Sequence, residues 1–208
     1  MVKLNQEYTR RTDLHHVQAI DHSMRGQVIV NHSYNVSKSN VKLKNNLNQF
    51  IKIYHQNICG LQYKIDELVA SLYPDIPHVM CISEHHLNHM QIQLITMDEY
   101  KRCTEYCRQS FQKGGVCIYI LKELSFTSIN LTKFCKDKDL EACAIKLKLS
   151  TTKICILTIY RSPVGNVQFF LNGLEAILKM VHKPNILLII CGDFNVNYLE
   201  ESKEKKKN

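Results

Sequence analysis

Three runs of strand length, VMCIS at Val79 to Ser83, VCIYIL at Val116 to Leu121 and ILLIIC at Ile186 to Cys191, are apolar at almost every position rather than at alternate ones. Strands of that kind are buried on both faces, which places them inside a sheet and not at its wet surface. Other segments have a single buried face. EACAIKLKL puts Cys143, Ile145, Leu147 and Leu149 on one side and Lys146 and Lys148 on the other, and TKICILTIY at Thr152 to Tyr160 reads as its hairpin partner. IKIYHQ from Ile51 and LSFTSINL from Leu124 complete the strand set. Between strands, Leu61, Ile65, Leu68, Val69 and Leu72 recur at helical spacing, as do Phe169, Phe170, Leu174, Ile177, Leu178 and Val181. Hairpins and helical crossovers together predict a mixed α/β chain.

A length of 208 residues suits one domain with an arm. Residues 51–199 form the expected domain. Residues 1–50 are polar and lack a sustained period, so they read as a loosely ordered basic arm, and 200–208 reads as a charged tail. The segment between Glu84 and Gly114 reads as irregular. The apolar runs fall well short of the roughly 20 residues a membrane-spanning helix needs. The N-terminus carries no apolar stretch of the secretory kind. No membrane partner is expected, and the location is intracellular, nuclear or cytoplasmic. The nine cysteines are then thiols packed as small hydrophobes. Cys103 and Cys107, with His85, His86 and His89 upstream, are the one grouping that hints at zinc, but no second pair repeats at ligand spacing and zinc is not expected. Of the net charge of +8, half sits in residues 1–50, where seven basic residues meet three acidic ones. A basic balance favours polyanion partners.

Several polar residues stand at the C-terminal ends of apolar strands: Asn57, Glu84, Asp193 with Asn195, and Tyr160 with Arg161. The crevice beyond strand ends is where α/β sheets assemble sites from chain-distant residues. Two carboxylates, two carboxamides and a phenol suit phosphodiester hydrolysis. One carboxylate can hold Mg²⁺, which takes one or two protein carboxylates and fills its octahedron with water and phosphate oxygens. A second can take the proton of the attacking water. On local grounds Asn57, Asp193 and Asn195 also suit turns, Tyr160 suits a core or rim position, and His85 and His86 read as solvent-facing neighbours of Glu84.

HQNICGL, ISEHHL, GGVCIYI, TIYRSP and GDFNVNYL, in this order over about Ile51 to Leu199, resemble the endonuclease/exonuclease/phosphatase superfamily. Their wording is most similar to the endonuclease domain of non-LTR retrotransposons. The resemblance implies a four-layer α/β sandwich of two mixed sheets flanked by helices, and a Mg²⁺-dependent enzyme, with Mn²⁺ as a substitute, that nicks DNA as a monomer. It implies Glu84 and Asn57 at the metal, Tyr160 on the scissile phosphate, Asp193 and Asn195 on the attacking water or leaving group, and Glu141 and Arg161 in support.

The family's Ser-Asp-His segment follows the GDFN segment, yet Val196 to Asn208 contain neither His nor Asp. The fold is therefore expected to be incomplete at the C-terminus. This leaves two alternatives to the nuclease: a catalytically inactive remnant with at most nucleic-acid affinity, and a phosphatase of the same superfamily.

Overall fold

The structure is a computed structural model that describes residues 15–20, 28–33, 36–42, 50–110, 113–149 and 152–196. In chain order the strands are β1 (His15–Ile20), β2 (Val28–Ser33), β3 (Val36–Lys42), β4 (Phe50–Asn57), β5 (Val79–Ser83), β6 (Tyr100–Tyr106), β7 (Val116–Leu121), β8 (Phe126–Ile129), β9 (Glu141–Leu149), β10 (Thr152–Tyr160) and β11 (Ile186–Asp193). The helices are α1 (Ile65–Leu72), α2 (His89–Gln93) and α3 (Val167–Val181). One sheet has the order β1-β11-β10-β9-β8 and the other β2-β3-β4-β5-β7-β6.

Each sheet contains one parallel pair, β4 with β5 and β10 with β11, and the other pairings are antiparallel. Parallel neighbours need a crossover long enough to return the chain to the same end of the sheet. Here α1 carries β4 to β5 and α3 carries β10 to β11. The strand residues explain the layering. Val79, Cys81, Ile118, Ile189 and Cys191 meet Ile145, Ile154 and Ile156 between the sheets. On the far face of one sheet Met80, Ile82 and Tyr119 pack with Leu68, Leu72 and Ile92 of α1 and α2. On the far face of the other, Leu157, Leu188 and Ile190 pack with Phe170, Ile177 and Val181 of α3. The all-apolar strands are those covered on both sides, and the result is a four-layer sandwich of two mixed sheets with helices outside.

Four expectations are corrected. Residues 1–50 are not a loosely ordered arm throughout, since β1, β2 and β3 lie within them. β1 pairs antiparallel with β11, and β3 with β4. These are strands at or next to a sheet edge, where backbone pairing is possible without the apolar run that marks an interior strand. The segment after Glu84 is not irregular, because α2 and β6 occupy it. YKRCTEY escapes notice because the register shifts between Arg102 and Thr104, which breaks its alternation. In β9, Ala142 and Ala144 are buried beneath α3, and only Lys146 and Lys148 face solvent. Cys59 is exposed rather than packed in the core. The charged tail and the segment after Val196 lie outside the described residues. Among the described residues no helix is long and apolar enough to cross a membrane.

Phe170 is fully buried between α3 and its sheet. Phe170→Ala is expected to lower unfolding free energy by about 3–5 kcal/mol, read as a fall in the urea midpoint without a change in slope.

Candidate functional site

The C-terminal ends of the two parallel pairs meet across the sandwich. Asn57 is the last residue of β4, in register with Ser83, so Glu84 leaves β5 beside it. Tyr160 ends β10 and Asp193 ends β11, again in register. The Asn57 carboxamide then joins the sheets: its Nδ2 donates to Glu84 Oε1 at 2.8 Å and to Asp193 Oδ2 at 3.0 Å. Its oxygen accepts from the backbone N–H and the thiol of Cys59, both at 3.3 Å.

Glu84 collects further donors. His86 Nε2 lies 3.1 Å from its Oε2, and the Tyr160 hydroxyl bonds the same carboxylate. Burial pushes the Glu84 carboxyl up, but the bonds from Asn57, Tyr160 and His86 outweigh it and hold the group below the usual carboxylate range. Tyr160 shifts the other way. Burial and the adjacent Glu84 carboxylate raise its phenol far above the ordinary value, so it stays a neutral donor. The Cys59 thiol, 3.6 Å from Glu84 Oε2, is raised by partial burial and by Glu84, which keeps it protonated.

The backbone around these residues is strained. Cys59, Glu84, His86 and Asn195 all adopt positive φ, at 46°, 55°, 58° and 48°. Left-handed non-glycine residues cost of order 1–3 kcal/mol each and persist where the surroundings over-determine them. The surroundings here are specific. Gly60 N–H donates to Glu84 O at 2.8 Å and His86 N–H to Gly114 O at 2.8 Å. Asn195 Nδ2 donates to Arg161 O at 2.8 Å, and Asn195 N–H to Asp193 Oδ1 at 3.2 Å.

The structure brings Asn57, Glu84, Tyr160 and Asp193 into direct contact and sets the other three candidates around them. Arg161 is buried, and its guanidinium donates to the carbonyls of Phe194, Gly165 and Asn195, which ties the loop after β10 to the loop after β11. Asn195 spends its amide on that same tie. Glu141 is fully buried and accepts from Arg108 at 2.6 Å, Gly115 N–H at 2.6 Å and Lys138 N–H at 3.0 Å. It reaches the site only through Arg108, whose guanidinium lies 5.8 Å from the Tyr160 ring centroid.

Sequence reasoning missed Arg108, His86 and Cys59. It also placed both histidines in solvent, whereas His85 is fully buried and His86 is partly buried against Glu84. His85 Nε2 bonds Tyr106 O at 3.0 Å, and its Nδ1 accepts Leu87 N–H at 3.0 Å, which defines a neutral ring. The signal was the GG pair. A Cβ on Gly114 would lie 2.3 Å from Arg108 Cζ, and one on Gly115 2.3 Å from His85 Nε2, at φ of +106° and +88°. Two adjacent glycines before a strand therefore mark two side chains laid against the backbone.

A two-sheet sandwich whose polar residues converge at the ends of two parallel strand pairs defines a class of fold. It is the fold of the endonuclease/exonuclease/phosphatase superfamily. The endonuclease domain of TRAS1, a telomere-specific non-LTR retrotransposon, is similar with a TM-score of 0.53 and 12% identity over 70% of this chain. Zebrafish (D. rerio) TDP2, solved with a single-strand DNA product, has a TM-score of 0.50 at 16% identity over 70% of this chain. A family protein from Leptotrichia buccalis has a TM-score of 0.50 at 16% identity over 73% of this chain. The chain spans 59%, 60% and 69% of these three, respectively. No protein-family model and no curated protein sequence matches it.

Two measurements separate supporting roles from chemistry. Glu141→Ala leaves Arg108 buried without its carboxylate and is expected to destabilise the fold by about 3–5 kcal/mol, measured by urea titration. Burial lowers His85 from 6.5 to about 4, so the unfolded chain takes up this proton first as pH falls. The contribution is complete above about pH 6.5 and declines towards pH 4, by roughly 3 kcal/mol across the window. Unfolding curves at pH 7, 6 and 5 should show a shallower slope for His85→Gln than for the parent.

Proposed function

We propose that this chain carries the site of a divalent-cation-dependent phosphodiesterase that nicks DNA, of the kind mobile elements encode. The observation that carries the reading is the single Asn57 carboxamide bonded to two carboxylates from different sheets, with a neutral phenol on one of them. Glu84, kept ionised, and Asn57 beside it are hard-oxygen residues that suit Mg²⁺, with Mn²⁺ as a substitute. Among the described residues no cluster of three or more His, Cys, Asp or Glu is set to hold an ion. Mg²⁺ does not require one, since one or two carboxylates with water and phosphate oxygens complete its shell. When bound, the ion neutralises charge developing on the phosphate oxygens.

The chain's own residues supply the remainder. The Tyr160 hydroxyl is a fixed, neutral donor for a phosphate oxygen. Asp193 is placed to take the proton of an attacking water. Asn195 and Arg161 hold the loop that carries Asp193, and Glu141 acts through Arg108 on the Tyr160 ring. The order of the sequence motifs and the likeness in fold to the TRAS1 endonuclease domain support DNA as substrate. The net charge of +8 supports a polyanion partner. A monomeric protein in the nucleus or cytoplasm is part of the same proposal.

In Mg²⁺, the purified chain should convert supercoiled plasmid to the nicked form. Glu84→Gln and Asp193→Asn should each slow this by roughly 10²-fold or more, and EDTA should stop it. Circular dichroism and a urea midpoint near the parent's would show that the variants remain folded. A parent chain that leaves plasmid intact in both Mg²⁺ and Mn²⁺ would sink the reading.

A further inference from the structure

Each of three loops that leave the site strands carries one large apolar side chain that folding leaves in water. Tyr63, six residues beyond Asn57, is 92% exposed. Met90, six beyond Glu84, is 79% exposed, and Val164, four beyond Tyr160, is 81% exposed. Their neighbours show that core positions were at hand, since Leu61, Leu87 and Ile92 are buried in the outer cluster.

The three side chains stand on tied backbone. Gly60 N–H and Leu61 N–H donate to Glu84 O and His85 O at 2.8 and 3.0 Å. Asn88 opens α2 with a reciprocal capping box with Gln91, one residue on either side of His89 and Met90. Ser162 N–H donates to Lys138 O at 2.8 Å, and Gly165 lies so close to that carbonyl that a Cβ there would sit 2.2 Å from it.

A single exposed apolar residue needs no explanation. What needs one is that all three loops place such a group around a site whose own chemistry is carboxylate, carboxamide and phenol. A small, wholly polar phosphoester offers nothing to set against these side chains. An unstacked nucleobase does, because its flat face stacks on an aromatic ring and tolerates apolar wedges. The charge agrees: the chain is net basic, and Lys64, next to Tyr63, holds its ammonium 2.6 Å from Ile58 O at the edge of the Asn57 loop.

We propose that Tyr63, Met90 and Val164 form a base-contacting rim, and that the substrate is a nucleic-acid strand with unstacked bases beside the scissile phosphate. The inference rests on the phosphodiesterase reading and names the substrate form that site takes. Tyr63 stacks on one base, and Met90, an adaptable thioether side chain, and Val164 hold its neighbours apart.

The test is fluorescence anisotropy of the full chain, in EDTA, with a single-stranded oligonucleotide and with a matched strand whose central nucleotides lack bases. The parent should prefer the strand with bases. The Tyr63→Ala/Met90→Ala/Val164→Ala variant should lose roughly five- to hundredfold in affinity for it and bind both strands alike. Turnover of methyl 4-nitrophenyl phosphate, a diester without a base, should be the same in both proteins when Mg²⁺ is present. Equal binding of the two strands by the parent, or full retention of affinity by the variant, overturns the rim. If the base preference is present and lost as expected but neither protein hydrolyses the small diester, the rim stands and the phosphodiesterase reading fails.

Discussion

The Asn57 carboxamide is the bond on which the arrangement turns. Glu84 and Asp193 belong to different sheets, and two carboxylates at one strand-end crevice repel each other unless donors stand between them. One NH₂ group serves both, at 2.8 and 3.0 Å. Hydrogen bonds to charged acceptors contribute about 1.5–3 kcal/mol each, enough to matter against a total stability of about 5–15 kcal/mol. The two sheets are thus joined at that end by a polar contact as well as by the apolar interior. The bond exists only because β4 and β11 end at the same level, which in turn follows from the parallel pairing of each with a neighbour returned by a helix.

The left-handed residues extend the same logic. Cys59, Glu84, His86 and Asn195 lie on the three loops that hold the bridged pair, so several kcal/mol of backbone strain is concentrated at one end of the sandwich. Backbone bonds between loops sustain it, as do the Arg161 guanidinium on three carbonyls and the His85 and Arg108 side chains laid against Gly115 and Gly114. These groups have little to do with the interior, which is closed by the apolar clusters alone. Their effect is to fix the directions of four polar side chains before any substrate arrives.

What was legible in the sequence follows from the same division. VMCIS and ILLIIC announce interior strands, and the polar residue after each must leave the sheet, so Glu84 and Asp193 are found by position alone. Asn57 and Tyr160 follow likewise. Long-range partners leave no such trace. Arg108 sits in CRQSFQKGG, a stretch without period, and its link to Glu141 spans 33 residues. His85 and His86 are adjacent in sequence yet go to different environments because left-handed turns at Glu84 and His86 redirect the chain between them. β1 and β3 are visible only through the partners they pair with. In β9, Ala142 and Ala144 look like a solvent face in isolation and are buried because α3 lies across them.

The titratable groups of the site are also pushed apart, and this bears on how the proposed hydrolysis would run. Glu84 is held ionised by its donors, while the Tyr160 phenol and the Cys59 thiol are held protonated by burial and by Glu84 itself. A protonated thiol beside a carboxylate is a poor nucleophile, which argues against a covalent intermediate on Cys59 although it is the exposed sulfur nearest the site. Attack by water is the remaining route, with an ionised carboxylate to anchor a cation and a neutral phenol to donate to the phosphate. The environment that makes Glu84 a good anchor also keeps Tyr160 a donor, so a change at either residue alters the protonation of the other. The two are coupled through one hydrogen bond, and their contributions to catalysis should therefore be less than additive.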